Sequence, residues 1–201
     1  MSLVFLTGAA RSGKSAAALS LALRSETPVT VIVFGRGDDP EMRDRIARHQ
    51  ADRPAGWRTV EAHDDEALLT AIESDDCILF DCLGTFVGSV MESEITELGV
   101  ADAFEADVVP RGLEIRVEAR VDRAIASLLD RTGRTIVVSN EVGSGVVPAT
   151  WSGRLFRDIV GRANRRLASE AAAAYLVTCG RCQDLGVLPE VDDLSWPQDI
   201  L

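Results

Sequence analysis

Leu3-Val4-Phe5-Leu6-Thr7-Gly8-Ala9-Ala10-Arg11-Ser12-Gly13-Lys14-Ser15 is the stretch whose reading decides the fold. A short apolar run ends at Gly8, and Gly8 to Ser15 fits G-x-x-x-x-G-K-[ST] at every specified position. Ala16 to Leu23 then reads as a helix, so the motif has the strand before it and the helix after it that its chemistry requires. The glycines let the backbone curl until successive N–H groups face inward, and the helix adds its positive end. Gly8, Ala9, Ala10, Arg11, Ser12, Gly13, Lys14 and Ser15 are therefore expected to cradle nucleotide phosphates. Lys14 is expected to reach the β- and γ-phosphate oxygens, and Ser15 to offer its hydroxyl to Mg²⁺.

Composition sharpens that reading. The chain has 201 residues, with 32 acidic against 21 basic side chains and a formal net charge of −11. Lys14 is its only lysine; every other basic position is Arg. A Gly- and Ser-rich turn fitting the pattern by coincidence gives no reason for the lone lysine to fall where phosphate chemistry wants a compact, mobile point charge. The acidic balance argues against nonspecific binding to nucleic acid or to an anionic membrane, because both are driven by broad positive fields. Any bound anion must then be held by local geometry. With 46% hydrophobic residues the composition is globular, and no apolar run approaches the ~20 residues that span a bilayer. The N-terminus lacks a basic leader and runs straight into the loop, which reads as a strand rather than a signal peptide.

Further apolar runs recur at Val29–Phe34, Ile78–Phe80, Thr135–Val138 and Tyr175–Thr178, each separated from the next by helix-like sequence. Such short, nearly uninterrupted runs are how strands buried on both faces of a mostly parallel sheet read. Between them, Phe86, Val87, Val90, Met91 and Ile95 share one helical face, as do Val117, Val121, Ala124, Ile125 and Leu128, and Phe156, Ile159, Val160, Ala163 and Leu167. Alternating strand and helix predicts an α/β domain over residues 1–180, followed by an acidic tail, 181–201, expected to be a surface appendage.

Asp81 ends the run Ile78-Leu79-Phe80, at the carboxyl edge where open α/β sheets bind ligands. It is the expected second metal-side group, with a simple strand cap as the alternative. His49 shares a spacing of i, i+4, i+7 with Met42 and Ile46 on a helix expected over Pro40–Gln50. Spacing alone leaves two explanations, a core-facing histidine or an imidazole presented to a nucleotide as nucleophile or base. His63, among acids, reads as exposed. Cys179-Gly-Arg-Cys182 has a redox-type spacing and with Cys77 and Cys82 could be drawn as a zinc site, but Cys77 and Cys82 flank an apolar run as small core residues do, and free thiols in a reducing cytoplasm are the expected state.

Together these blocks resemble the bifunctional adenosylcobinamide kinase and adenosylcobinamide-phosphate guanylyltransferase family of cobalamin biosynthesis. The phosphate loop is similar to the family's GGARSGKS, with Ala9 for its second glycine. Asp39-Pro40-Glu41-Met42, Arg45-Ile46, His49, Arg53-Pro54, Trp57, Thr59 and Glu61 resemble its DDEM…RI..H…RP..W.T.E block. Asp81-Cys82-Leu83 resembles its DCL, Ser139–Pro148 its SNEVG.G.VP, and Phe156-Arg157-Asp158, Gly161-Arg162, Asn164 and Leu167-Ala168 its FRD..GR.N..LA. The acidic tail replaces the family's usual short ending.

The resemblance implies an α/β, P-loop NTPase-like (RecA-like) fold, a mostly parallel sheet flanked by helices, and two reactions on one nucleotide platform. Adenosylcobinamide would be phosphorylated by a nucleoside triphosphate, ATP or GTP. GTP would then guanylylate His49, and GMP would pass to adenosylcobinamide phosphate. It further implies nucleotide contacts from Phe34, Gly35, Arg36, Arg53, Pro54, Ala55, Gly56, Glu61 and Asp81, Mg²⁺ as cofactor, a cytoplasmic setting, and a homo-oligomer, by family a trimer. Asn140 and Glu141 would give polar support or corrinoid contact, or only a structural turn. A P-loop enzyme with one of the two activities, or a nucleotide-dependent regulatory module, is the alternative.

Overall fold

Strand phase assigns the two faces of the sheet. The computed structural model describes residues 2–34, 53–100 and 108–191. In chain order the elements are β1 (Leu3–Thr7), α1 (Lys14–Ala22), β2 (Val29–Phe34), β3 (Arg58–Ala62), α2 (Asp65–Ile72), β4 (Cys77–Asp81), α3 (Leu83–Glu97), α4 (Leu113–Leu129), β5 (Thr135–Val138), α5 (Trp151–Glu170), β6 (Ala173–Thr178) and β7 (Arg181–Asp184). They build one sheet in the order β3-β2-β4-β5-β1-β6-β7. All pairings are parallel except β6 with β7. The expected α/β P-loop architecture is thus observed.

Because side chains alternate along a strand, each buried strand feeds two cores. Leu3, Phe5, Ile32, Phe34, Ile78, Phe80 and Val137 face the larger one, completed by α2, α3, α4 and α5. Leu6, Val29, Val31, Val33, Cys77, Leu79, Ile136, Val138 and Val177 face the other, where α1 packs through Ala18 and Ala22. Alanines at those contacts let α1 lie close to the sheet, which keeps its N-terminus beside the strand ends. The apolar helical faces read from the sequence all turn inward; of their members only Phe156 is partly exposed.

Two strands lie outside the sequence expectation. β3 and β7 are the sheet's edges, and their residues, Arg-Thr-Val-Glu-Ala and Arg-Cys-Gln-Asp, are too polar to read as buried runs. β7 also corrects the expected start of a surface tail after residue 180: Arg181–Asp184 is a strand of the sheet, paired with β6 from Tyr175↔Asp184 to Thr178↔Arg181. Residues 192–201 lie outside the described residues.

The helix layer is fastened by a charged cluster. Glu94 of α3, 3% exposed, accepts from Arg116 and, at 3.0 Å, from Arg120, both on α4. Arg120 also reaches Asp65 of α2 at 2.7 Å. Burial raises the Glu94 pKa, but the hydrogen bonds and charges of Arg116 and Arg120 outweigh it and hold the carboxyl below its ordinary value. The same balance, with Arg120 as the main partner, lowers Asp65. Carboxyls depressed in the folded state contribute stability that is present above their unfolded pKa and lost as pH falls through the folded one. Glu94→Ala should therefore cost about 1.5 kcal/mol at pH 7, the loss of charge-assisted hydrogen bonds, because Arg120 keeps Asp65 and the half-exposed Arg116 keeps Glu97. Urea titrations between pH 7 and 3 should show the wild type losing that advantage below about pH 4.3, the unfolded glutamate value.

Candidate nucleotide site at the strand ends

The phosphate loop is held in place by its own backbone. At Gly8 (φ +155°) an added Cβ would lie 2.3 Å from the Val177 carbonyl oxygen, so β6 leaves room only for glycine. Gly13 (φ +105°) precedes α1 and would bring a Cβ to 3.2 Å from Gly180 Cα. The Glu141 N–H donates to Gly8 O at 2.9 Å, Gly180 N–H to Ser12 O at 2.8 Å, and Ser12 N–H to Ala9 O at 3.2 Å. Apart from the Ser12 N–H, these bonds occupy loop carbonyls rather than loop amides. No acid occupies the first turn of α1, so nothing there cancels the helix's positive end.

Lys14 is the most consequential side chain in this cradle. It is 7% exposed, and its ammonium donates to Ala9 O at 2.8 Å, curling back over the loop. Ser15, half-buried, follows in the first turn. Across the sheet edge, strand phase puts Asp81 with Cys77 and Leu79 on the α1 side. Arg53 reaches the same neighbourhood: it donates to Thr59 Oγ1 at 3.3 Å, burial lowers its pKa, and the negative charge of Asp81 opposes that shift. The structure therefore gathers Gly8 to Ser15, Asp81 and Arg53 at one end of the sheet.

Other expected contacts fall differently. Pro54, Ala55 and Gly56 form an exposed turn closed by Trp57 N–H to Pro54 O at 3.0 Å. Glu61 is exposed on β3, opposite Val33. The Phe34 side chain is a correction to the sequence reading: only 2% exposed, it faces the four-helix core, with ring centroids 4.9 Å from Phe86 and 5.9 Å from Phe80. An apolar residue at a strand end packs or binds according to strand phase, and here it packs. Gly35, Arg36 and His49 lie outside the described residues. His63 is exposed, as read, while its neighbour Asp64 caps α2 by accepting from Ala67 N–H at 2.8 Å.

Two features of the site escaped the sequence reading. Cys179 (φ 52°) and Gly180 (φ 75°) are the two central residues of the β6–β7 hairpin. Two consecutive positive φ values make it a type I′ turn, for which Gly at the second position was the available signal. Cys179 thus sits in the turn and Cys182 on the strand opposite Val177, and the turn supplies the Gly180 N–H that holds the loop. The second is a bond made by Asn164 of α5, itself one of the family-like block residues: its amide donates to Asn140 O at 2.9 Å. No periodicity announces a contact 24 residues away.

Chemically, the arrangement offers loop amides, the Lys14 ammonium and the Arg53 guanidinium for a polyphosphate. Ser15 and Asp81 add hard oxygen donors of the type a nucleotide-borne divalent cation takes. Among the described residues no group of three or more His, Cys, Asp or Glu is placed to hold a metal alone, and no helix is long and apolar enough to cross a membrane.

Comparison with known proteins identifies the family. In solved structures the chain is similar to a prototypical ATPase from the type III secretion system of pathogenic bacteria, with TM-score 0.54, 11% identity, and coverage of 88% of this chain and 51% of that one, a likeness of fold alone. In sequence it is 35% identical over 180 residues to the bifunctional adenosylcobalamin biosynthesis proteins CobU of Escherichia coli (strain K12) and Salmonella typhimurium (strain LT2), covering 89% of this chain and 96% of each relative. It is also 35% identical over 182 residues to the bifunctional adenosylcobalamin biosynthesis protein CobP of Pseudomonas aeruginosa, covering 89% and 87%. The family described as cobinamide kinase / cobinamide phosphate guanyltransferase matches residues 4–185, and the chain, with its phosphate loop, strand-end carboxylate and guanidinium gathered at the carboxyl ends of the strands, belongs to that family.

Proposed function

We propose that this chain carries out both transfers of its family on one nucleotide site. In the first, the hydroxyl of the aminopropanol arm of adenosylcobinamide forms a bond to the γ-phosphorus of ATP or GTP, the γ-phosphorus to bridging-oxygen bond breaks, and a nucleoside diphosphate leaves. In the second, a His49 nitrogen attacks the α-phosphorus of GTP and pyrophosphate leaves. The phosphate of adenosylcobinamide phosphate then attacks the same phosphorus, the P–N bond breaks, and adenosyl-GDP-cobinamide forms. The observation that carries the reading is the buried Lys14 ammonium curled over a loop held by bonds from Glu141 and Gly180, with Arg53 and Asp81 across the edge.

The residue types suit these steps. A neutral imidazole is nucleophilic near neutral pH, and a phosphoramidate gives up its phosphoryl group readily. Lys14 and the loop amides stabilise charge that builds on the departing diphosphate or pyrophosphate, without reorganising as it develops. Mg²⁺, held by Ser15, Asp81 and the nucleotide itself, would neutralise further phosphate charge. Arg53 is assigned to the nucleotide on the strength of its half-buried place beside Asp81; Glu61, Gly35 and Arg36 are assigned by resemblance. A cytoplasmic homotrimer is the assembly the resemblance favours.

Incubation with Mg²⁺ and GTP labelled at the α-phosphate should give an acid-labile, alkali-stable protein adduct that is absent in His49→Ala. Persistence of that adduct in the variant would reject His49 as the nucleophile. His49→Ala should still phosphorylate adenosylcobinamide at close to the wild-type rate. Lys14→Ala, by contrast, should lower kcat/KM of both reactions by about 10²-fold or more; assays of the two half-reactions side by side would reveal a defect confined to one.

A further inference from the structure

Asn140 stands where the phosphate loop, the strand ends and the helix layer meet. β5 lies between β1, which leads into the loop, and β4, which ends at Asp81. The residues flanking Asn140 are tied to the loop strand: Ser139 N–H donates to Leu6 O at 2.8 Å and Glu141 N–H to Gly8 O at 2.9 Å. Asn140 is therefore fixed beside the entry to the loop. Its side chain turns away from α1. The amide nitrogen lies 3.3 Å from where a Gly84 Cβ would stand, and the Phe156 ring lies 3.7 Å from that same point. Gly84 opens α3 and Phe156 belongs to α5, so this carboxamide borders the four-helix side of the strand ends.

The Asn140 backbone is held from below by Asn164, which donates to its carbonyl at 2.9 Å. Around this link two polar oxygens are buried without a hydrogen-bond partner, Asn164 Oδ1 and the hydroxyl of Ser139, itself 0% exposed. Buried polar atoms are ordinarily paired, and a concentration of unpaired ones beside a site points to a missing polar partner. The donor phosphates are accounted for on the α1 side by the loop amides and Lys14. What remains at the strand ends is a neutral carboxamide, able both to donate and to accept, on the four-helix side beside Gly84 and Phe156.

We propose that Asn140 is the acceptor-side contact of phosphoryl transfer and that Asn164 is its positioning residue. This rests on the kinase reading above and extends it. The Asn140 carboxamide hydrogen-bonds the alcohol that receives the γ-phosphoryl group and holds its oxygen in line with the bond that breaks. The alcohol oxygen joins the γ-phosphorus, the nucleoside diphosphate departs, and the hydroxyl proton passes to solvent, since an amide is not a base. Its contribution is orientation, which is worth most when a bound partner must be aligned rather than activated.

The test compares wild type, Asn140→Ala, Asn140→Ser, Asn164→Asp and the Asn140→Ala/Asn164→Asp double variant. Asn164→Asp keeps the shape and removes the donor. Phosphorylation of adenosylcobinamide is followed at saturating ATP, alongside the Kd of a fluorescent GTP analogue and labelling of the protein by α-labelled GTP, which needs no acceptor. Asn140→Ala is expected to lower kcat by about 10²-fold and Asn164→Asp by about tenfold, with the double variant no worse than Asn140→Ala because both act through one contact. Asn140→Ser, which restores a short polar group, should recover part of the loss. GTP-analogue Kd and labelling should stay within about twofold. Wild-type kcat in Asn140→Ala would overturn the proposal, and so would a parallel loss of phosphorylation, labelling and nucleotide affinity, which would mark Asn140 as support for the nucleotide site. A wild-type enzyme that labels with GTP but fails to phosphorylate adenosylcobinamide would overturn the kinase reading itself, and this inference with it.

Discussion

The close approach of Gly8 to the Val177 carbonyl is the constraint on which the site depends. An added Cβ would lie 2.3 Å from that oxygen, well inside van der Waals contact, so the loop can leave β1 along this path only because Gly8 has no side chain. That path lets the Gly8 carbonyl accept from Glu141 and the Ser12 carbonyl from Gly180. β5 and the β6–β7 hairpin thereby grip the loop from two sides. Lys14 then follows at the first residue of α1, and its ammonium folds back over Ala9. A loop that is already curled when nucleotide arrives pays little ordering entropy on binding, and its amides need not reorient as charge shifts during transfer.

The electrostatics follow from the same packing. A chain of net charge −11 repels anions at long range. Its phosphate site is therefore local: the loop backbone, the N-terminus of α1 with no acid in its first turn, one lysine and Arg53. Burial strengthens these short-range terms because the surrounding dielectric is lower than that of water. Asp81, on the same side of the sheet, offsets the effect of burial on Arg53. Away from the site, Arg serves structure. Arg116 and Arg120 join α4 to α3 and α2, and Arg131 donates to the carbonyls of Ile72, Ser74 and Asp76, each at 2.9 Å, fixing the approach to β4. Planar guanidinium groups suit such multiple, directional bonds, whereas the compact ammonium is reserved for the phosphates.

β1, β2, β4, β5 and β6 were legible because their runs are almost wholly apolar, with only an occasional threonine such as Thr30 among them. The edge strands β3 and β7 were not, since an edge in contact with water tolerates Arg, Glu, Gln and Asp and loses the signature. Asp81 could be picked out because it ends such a run, but the side of the sheet it occupies is a matter of strand phase. The same phase, unread, sent Phe34 to the core instead of the site. The Cys179-Gly180 turn was obscured by its cysteine spacing, although the glycine marked a hairpin. The role of Asn164, legible only as a block residue, was hidden for a different reason: it lies beside the buried stripe of α5, and its bond to Asn140 exists only once α5 packs against the sheet.

The most direct test of this account is the GTP affinity of Gly8→Ala, measured by titration calorimetry with Mg²⁺ present, together with its far-ultraviolet circular dichroism. If the loop's shape depends on the close approach to Val177, the variant keeps the helical and sheet signal of the wild type while its Kd for GTP rises about tenfold or more, the consequence of losing ~1.4 kcal/mol. A Gly8→Ala protein that binds GTP with wild-type affinity would contradict it, because the cradle would then form without the path that only glycine permits.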